Sequence, residues 1–248
     1  MKRLSILIVL CLCLSLPTHS FPADEIKIPY PFAFKSRFEA GSSHLGFPGD
    51  GDFLQVGCFV KASGSPIKEV TARNLDTGLV LKAKALNVGS IWSGLYEVSP
   101  MPPFDPGKHP GTWELQVTNE KGDVVSAKTH NLNLKGQMPY VKNVKASGNP
   151  LAPVITWAAP DEKNIPKGAK VKYRVRLLKN NRAQFYKSKL ASETSCQIPE
   201  GKIKPEELSQ IYIRIECQGW DASDKEHSLP FELRSNTILP LKEALAGE

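Results

Sequence analysis

Val171-Lys172-Tyr173-Arg174-Val175-Arg176-Leu177 changes character at every residue: four apolar side chains alternate with three cations. A period of two marks extended backbone, because successive side chains of a strand leave on opposite faces. The stretch therefore predicts a strand with Val171, Tyr173, Val175 and Leu177 in a core and Lys172, Arg174 and Arg176 on the other face. Ile211-Tyr212-Ile213-Arg214-Ile215-Glu216-Cys217 repeats the pattern, with its isoleucines and Cys217 inward. Leu54-Gln55-Val56-Gly57-Cys58-Phe59-Val60 does so a third time, with Cys58 inward.

Around these stretches, 18 Gly and 20 Pro are scattered as punctuation among short alternating segments rather than gathered into one linker. Helical periodicity is almost absent. Strands separated by turn signals every 8 to 12 residues or so predict β-sandwiches, and the length fits two domains of about 110 residues each. Lys135-Gly136-Gln137-Met138-Pro139 is the expected seam, where one strand ends and a Pro-led strand begins.

Several segments of the second half fall in a familiar order. Val154-Ile155-Thr156-Trp157-Ala158-Ala159-Pro160 sets a tryptophan among small residues before a strand-ending proline. The 171–177 strand follows, then the segment "ETSCQIP", the 211–217 strand and "FELRSNT". This order resembles that of strands B, C, E, F and G of a fibronectin type III domain, over roughly Pro139 to Leu241. The F strand departs from the family pattern in placing Ile211 inward and Tyr212 outward, and a helical turn at Pro205-Glu206-Glu207-Leu208 lengthens the E-to-F connection. In the first half, the 54–60 strand, "GTWELQV", "NEKGD" and "VVSAKTHNL" read as a B strand and a closing hairpin. They resemble an immunoglobulin-like domain of bacterial type. The expected layout is thus an all-β protein of two β-sandwich domains in series: a signal peptide over 1–20, an immunoglobulin-like β-sandwich over 21–137, a fibronectin type III-like β-sandwich over 138–241 and a C-terminal tail over 242–248.

The leader reading rests on Lys2 and Arg3, the apolar run Leu4 to Leu16, the breaker Pro17 and the small residues Thr18-His19-Ser20. The run is about 13 residues, short of the roughly 20 that a spanning helix needs, and no later stretch qualifies. Of the three cysteines beyond it, Cys58 has Leu115 where an antibody-type domain would carry its F-strand partner, so it reads as a small buried hydrophobe. Cys196 and Cys217 sit inward by alternation, near the start of E and the end of F. A disulfide between them is expected; it would close a loop of about 22 residues and contribute roughly 3 kcal/mol in the chain-entropy picture.

The chain carries 32 Lys and Arg against 25 Asp and Glu, and two of the basic residues belong to the leader. That mild excess suits solubility and some attraction to anionic surfaces. No arginine-rich run, stacking-aromatic stretch or zinc spacing accompanies it, which argues against nucleic acid. Catalysis finds little support either. His44, His109, His130 and His227 are far apart in sequence, and Gly41-Ser42-Ser43-His44-Leu45-Gly46 lacks the second glycine and the strand-to-helix context of a nucleophile elbow. Asp50-Gly51-Asp52 lacks the spaced ligands of a calcium loop. No cofactor or metal is expected.

What remains is surface. The fibronectin type III resemblance sets strands C, F and G side by side, which places Lys172, Arg174 and Arg176 on one outer sheet face with Tyr212, Arg214 and Arg234. Guanidinium forks match carboxylate and phosphate, so this face is a candidate reader of an anionic glycan, a lipopolysaccharide head group or an acidic envelope protein. The ordinary alternative is solvation and cross-strand pairing with Glu216 and Glu232. A second candidate is the loop Gly219-Trp220-Asp221-Ala222-Ser223-Asp224, where Trp220 beside Asp221 stands one step past its strand; Trp92 is a third. Trp113 and Trp157 are expected in cores. These features predict a non-catalytic binding or structural module of a bacterial cell envelope, periplasmic or secreted, with an envelope protein or anionic glycan as partner. The alternatives are a carbohydrate-binding or enzyme-accessory protein, and a hydrolase with an unrecognised site. Two sandwiches of this total length also suit a pilus-chaperone-like role, although that family's anchoring basic residues do not map onto this chain.

Overall fold

The computed structural model describes residues 25–39, 42–86, 94–132, 136–180, 183–221 and 231–246. The leader region and Trp92 lie outside them. The first sandwich comprises β1 (Ile26–Phe38), β2 (Gly51–Ala62), β3 (Ile67–Asn74), β4 (Val80–Ala85), β5 (Leu95–Val98), β6 (Gly111–Asn119) and β7 (Val124–Leu132). Neighbours run β1-β2-β5-β4-β3-β6-β7, a Greek-key order of immunoglobulin type in which β4 pairs with both β5 and β3. Leu54, Val56, Cys58 and Val60 alternate into its core beside Trp113, Leu115 and Val117. The β6–β7 hairpin forms as its sequence predicts.

The second sandwich comprises β8 (Lys142–Ser147), β9 (Val154–Ala158), β10 (Ala169–Lys179), β11 (Gln184–Lys187), β12 (Ser195–Gln197), β13 (Ile211–Asp221) and β14 (Phe231–Pro240). The sheet β12-β9-β8 covers the run β11-β10-β13-β14, the arrangement of a fibronectin type III domain. Tyr173, Val175, Leu177, Ile211, Ile213, Ile215 and Cys217 fill the space between, with Trp157 over the Tyr173 ring at 5.5 Å. A 3-10 helix, Pro205–Gln210, precedes β13. The final helix α1 (Leu241–Ala246) buries Leu241 and Ala244 in this core.

One strand belongs to both sandwiches. The C-terminal part of β1 pairs in parallel with β14, Lys35 to Phe38 against Leu233 to Asn236, and joins the four-stranded run to the first sandwich as a single 11-stranded sheet. The connecting segment is tied down at the same place. Lys35 Nζ donates to the Gly136 carbonyl, Tyr140 Oη to the Phe38 carbonyl and Ser235 Oγ to the Pro139 carbonyl at 2.7 Å. Gln137 Nε2 donates to Asp52 Oδ2 at 2.7 Å, and the Arg37 guanidinium lies 5.1 Å over the Tyr140 ring.

The disulfide expectation is overturned. Cys196 and Cys217 are free: Cys196, on β12, packs toward Tyr186 of β11 at the edge of the facing sheet, whereas Cys217 stands on β13, two strands further in. A shared rim is not enough, because β12 faces the β11 edge of the opposite layer and not β13. Cys217 is wholly buried, whereas Cys196 is half-exposed with its Sγ 3.8 Å from Tyr186 Oη. Cys58 is wholly buried in the first core, the inward place its alternation predicts.

Candidate functional site

Strand pairing fixes which side chains share a face. Across β10, β13 and β14 the partners Arg174↔Glu216, Arg176↔Arg214 and Gln218↔Arg234 stand on the face opposite the second core. Ser36 is the partner of Arg234, which carries that face onto β1. From there Phe32↔Gly57, Phe34↔Gln55 and Tyr30↔Phe59 carry it onto β2, and Gly57↔Glu97 with Phe59↔Leu95 onto β5. A single sheet surface therefore runs under both sandwiches and is cationic in the second and aromatic in the first. A cavity of about 510 Å³ opens on it. Tyr30, Phe32, Phe34, Phe59 and Leu95 line one side; Arg174, Arg176, Lys187, Arg214 and Arg234 line the other.

Lys172, Arg174, Arg176, Tyr212, Arg214 and Arg234 share one sheet surface as the alternation predicts, but its centre is buried and Lys172, Arg174, Tyr212 and Arg214 are only partly exposed. Arg176 and Arg234 are each only 5% exposed and Glu216 is 0% exposed. The physical reason is the β1–β14 pairing, which folds the first sandwich's aromatic face against the arginines. The Arg234 guanidinium lies 4.5 Å over the Phe34 ring, and that of Arg214 5.1 Å over Phe47, a favourable contact for a desolvated cation.

Glu216 is the hub of this surface. Its Oε1 meets Arg176 Nε at 2.9 Å, Arg214 Nη2 at 3.0 Å and Arg234 Nη1 at 3.1 Å. Its Oε2 accepts from Arg176 Nη2 and Gln218 Nε2, both at 3.1 Å. Burial alone would raise this carboxyl, but Arg176, Arg234 and Arg214 outweigh it and hold Glu216 far below the usual carboxylate range. Both oxygens already accept hydrogen bonds, so the group acts as a fixed anion and not as a proton carrier. Burial lowers Arg214 and Arg234 while Glu216 pulls the other way; an arginine remains a cation at neutral pH.

The network continues across the domain junction. Arg214 donates to Asn236 Oδ1 at 2.8 Å, and Asn236 Nδ2 donates to Ser36 Oγ at 3.0 Å. Arg234 donates to Gln55 Oε1, and Gln55 Nε2 to Glu97 Oε1 at 2.8 Å. On the far side Arg176 donates to Gln184 Oε1. Arg174 is lowered by burial and then by Arg176, with Glu216 acting against both. Burial lowers Lys187 too, and Arg176 and Arg174 lower it further against Glu216; Arg174, Arg176 and Lys187 together line an electropositive end of the cavity.

The tryptophan candidates fare differently. Trp220 is not in a loop: it pairs with Lys170 and Phe231 inside β13, and Asp221 ends that strand. The side chains of Trp220 and Asp221 lie outside the described residues, as does Trp92. Trp113 and Trp157 are core residues. Sequence reasoning missed the aromatic side altogether. The signal was present in Tyr30-Pro31-Phe32-Ala33-Phe34, where Ala33 takes the inward place and the aromatics point outward, but large aromatics read first as core. Among the described residues no three His, Cys, Asp or Glu side chains converge as metal ligands, and no helix is long and apolar enough to cross a membrane.

No family model and no curated protein matches the chain. Among solved structures it is similar to a crystal structure of domains A168–A170 from titin, at 14% identity and a TM-score of 0.25 over 87% of this chain and 65% of that one. It is also similar to a crystal structure of the chicken CNTN1 FN1–FN3 domains, at 14% identity and a TM-score of 0.28 over 85% and 65%. The chain thus spans just under two thirds of the length of either structure.

Proposed function

We propose that this protein is an exported, non-catalytic binding module of the cell envelope whose ligand site is the cleft between its two sandwiches. One observation carries the reading: a cavity within the usual size of small-molecule sites, about 300–1,000 Å³, lies on a surface that two domains build together. The shared strand β1 and the clamped connection hold the two sides at a fixed separation, so little ordering cost attends binding. Its chemistry is that of recognition. Among the described residues the one wholly buried carboxylate, Glu216, is saturated by three arginines and Gln218, which suits a strut better than an acid or base.

The dye 1-anilinonaphthalene-8-sulfonate, an aromatic body with one anionic group, tests the reading. Titrated into the protein lacking residues 1–20, it should bind saturably at one site with enhanced, blue-shifted emission. Phe34→Asp, which sets a carboxylate on the aromatic side, should abolish that signal, while Val124→Asp on an exposed strand position should leave it intact. Equal dye binding by all three proteins would place the apolar site elsewhere and refute the cleft as the ligand site.

A further inference from the structure

The chemistry of the two sides narrows the ligand further, given that the cleft is the site. We infer that it binds a single-chain anionic amphiphile, an acyl chain ending in a carboxylate or phosphate, with the head group at Arg174 and Gln184 and the chain along the Phe32, Phe34, Phe59 and Leu95 surface.

The head-group end is defined by donors. Among the described residues, five cations line the cavity against the two carboxylates Glu97 and Glu216. Glu216 is shared among Arg176, Arg214 and Arg234, and Glu97 accepts from Gln55. Arg174 Nε and Gln184 Nε2 are buried and have no hydrogen-bond partner among the described residues, and Gln184 is only 8% exposed. A buried donor without an acceptor is costly. Both groups lack an acceptor rather than a donor, which an oxygen atom supplies, and the excess of positive charge at their end of the cavity favours an anionic one.

The opposite side demands an apolar body. Phe32, Phe34, Phe59 and Leu95 offer no hydrogen-bonding group, and Tyr30, 47% exposed, brings its hydroxyl only at the edge. The backbone beneath them is already paired, β1 with β2 and β2 with β5. A peptide laid here would carry an N–H and a C=O per residue into a surface that satisfies neither. A polymethylene chain has no such groups. At about 30 Å³ per methylene-sized group, the space of one liquid water, 510 Å³ holds about 15 to 17 heavy atoms. From Arg174 on β10 to Phe59 on β2 is four strand steps, about 19 Å along the sheet, a reach that suits a chain of about 12 to 14 carbons with its head group, and Leu95 on β5 flanks the far end beside Phe59.

Displacement of the same dye tests this with octanoate, decanoate, dodecanoate and tetradecanoate, dodecyl phosphate, neutral dodecanol, cationic dodecyltrimethylammonium and a tetrapeptide rich in Asp and Phe, all below micelle-forming concentrations. Affinity should rise about tenfold for each two carbons until the cavity is filled, as burial of methylenes predicts. Dodecanoate and dodecyl phosphate should displace the dye, their ratio reporting which head group fits; dodecanol should be at least tenfold weaker and the cation inert. Arg174→Gln should weaken dodecanoate about tenfold or more with dodecanol unchanged and with an unaltered unfolding midpoint. Phe59→Ser should flatten the chain-length dependence. Displacement by the peptide but not by the alkanoates would overturn the amphiphile while leaving the cleft as the site. Equal affinity for dodecanol and dodecanoate, or no loss in Arg174→Gln, would overturn the head-group assignment. Failure of the dye itself to bind would remove the cleft reading on which all of this rests.

Discussion

Replacing Glu216 by Gln removes one carboxylate and leaves three guanidiniums facing each other in a buried space, with almost no change in shape. Each pair gains about 4 kcal/mol at a charge separation near 4 Å and an effective dielectric of 20. Three pairs would sum to roughly 12 kcal/mol, but desolvation of the ions and repulsion among the arginines offset most of it. Removing one partner from such a cluster leaves uncompensated buried charge and typically costs about 3–5 kcal/mol. For a folded chain of this size that lowers the melting temperature by about 2–4 °C per kcal/mol, or about 6–20 °C in all. Urea denaturation followed by intrinsic fluorescence measures the loss directly. Glu25→Gln serves as the control: it removes a carboxylate whose pairing with Lys27 is exposed on both sides, where ion pairs contribute little. A loss below 1 kcal/mol for Glu216→Gln, or one no larger than the control's, would refute the view that this carboxylate holds the arginine face together.

The same group makes stability depend on acid. Glu216 titrates lower in the folded protein than its ordinary value of 4.5, so its contribution is complete above that value and is lost as pH falls toward the folded-state pKa; denaturation at pH 7 and pH 3 should show a loss that Glu216→Gln lacks. Burial pushes the Cys58 and Cys217 thiols up to about 12, so thiol alkylation of the native protein should label half-exposed Cys196 and reach the other two only in denaturant, and an unreduced peptide map should contain no crosslinked 196/217 fragment. A Cβ on Gly57 would collide with the Tyr96 carbonyl and stand 3.0 Å from the Phe32 ring; Gly57→Ala should cost about 1–3 kcal/mol or more by overpacking the β2–β5 contact, visible as a lower urea midpoint.

Much of the fold was legible because alternation is a local property. In the 54–60, 171–177 and 211–217 segments every apolar residue assigned inward is in a core or packed against one. The position of Ile211 inside and Tyr212 outside followed from the same period. The absence of the disulfide was not legible, because strand order in the chain does not say which strand of the facing layer lies opposite a given side chain. Trp220 was misplaced for a related reason: its strand gains residues through pairing with β10 and β14, an extension that local composition does not announce.

The amino-acid sequence by itself determined the two-faced strands and the identity of both faces, since backbone sterics turn successive side chains to opposite sides wherever the chain is extended. Whether the outward arginines would meet water was decided only by the parallel pairing of β1 with β14. That contact sets Ser36 beside Arg234, 198 residues away along the chain, and closes the aromatic surface over the charges. Exposure is a property of what stands opposite a face, and no local stretch of chain encodes its own cover.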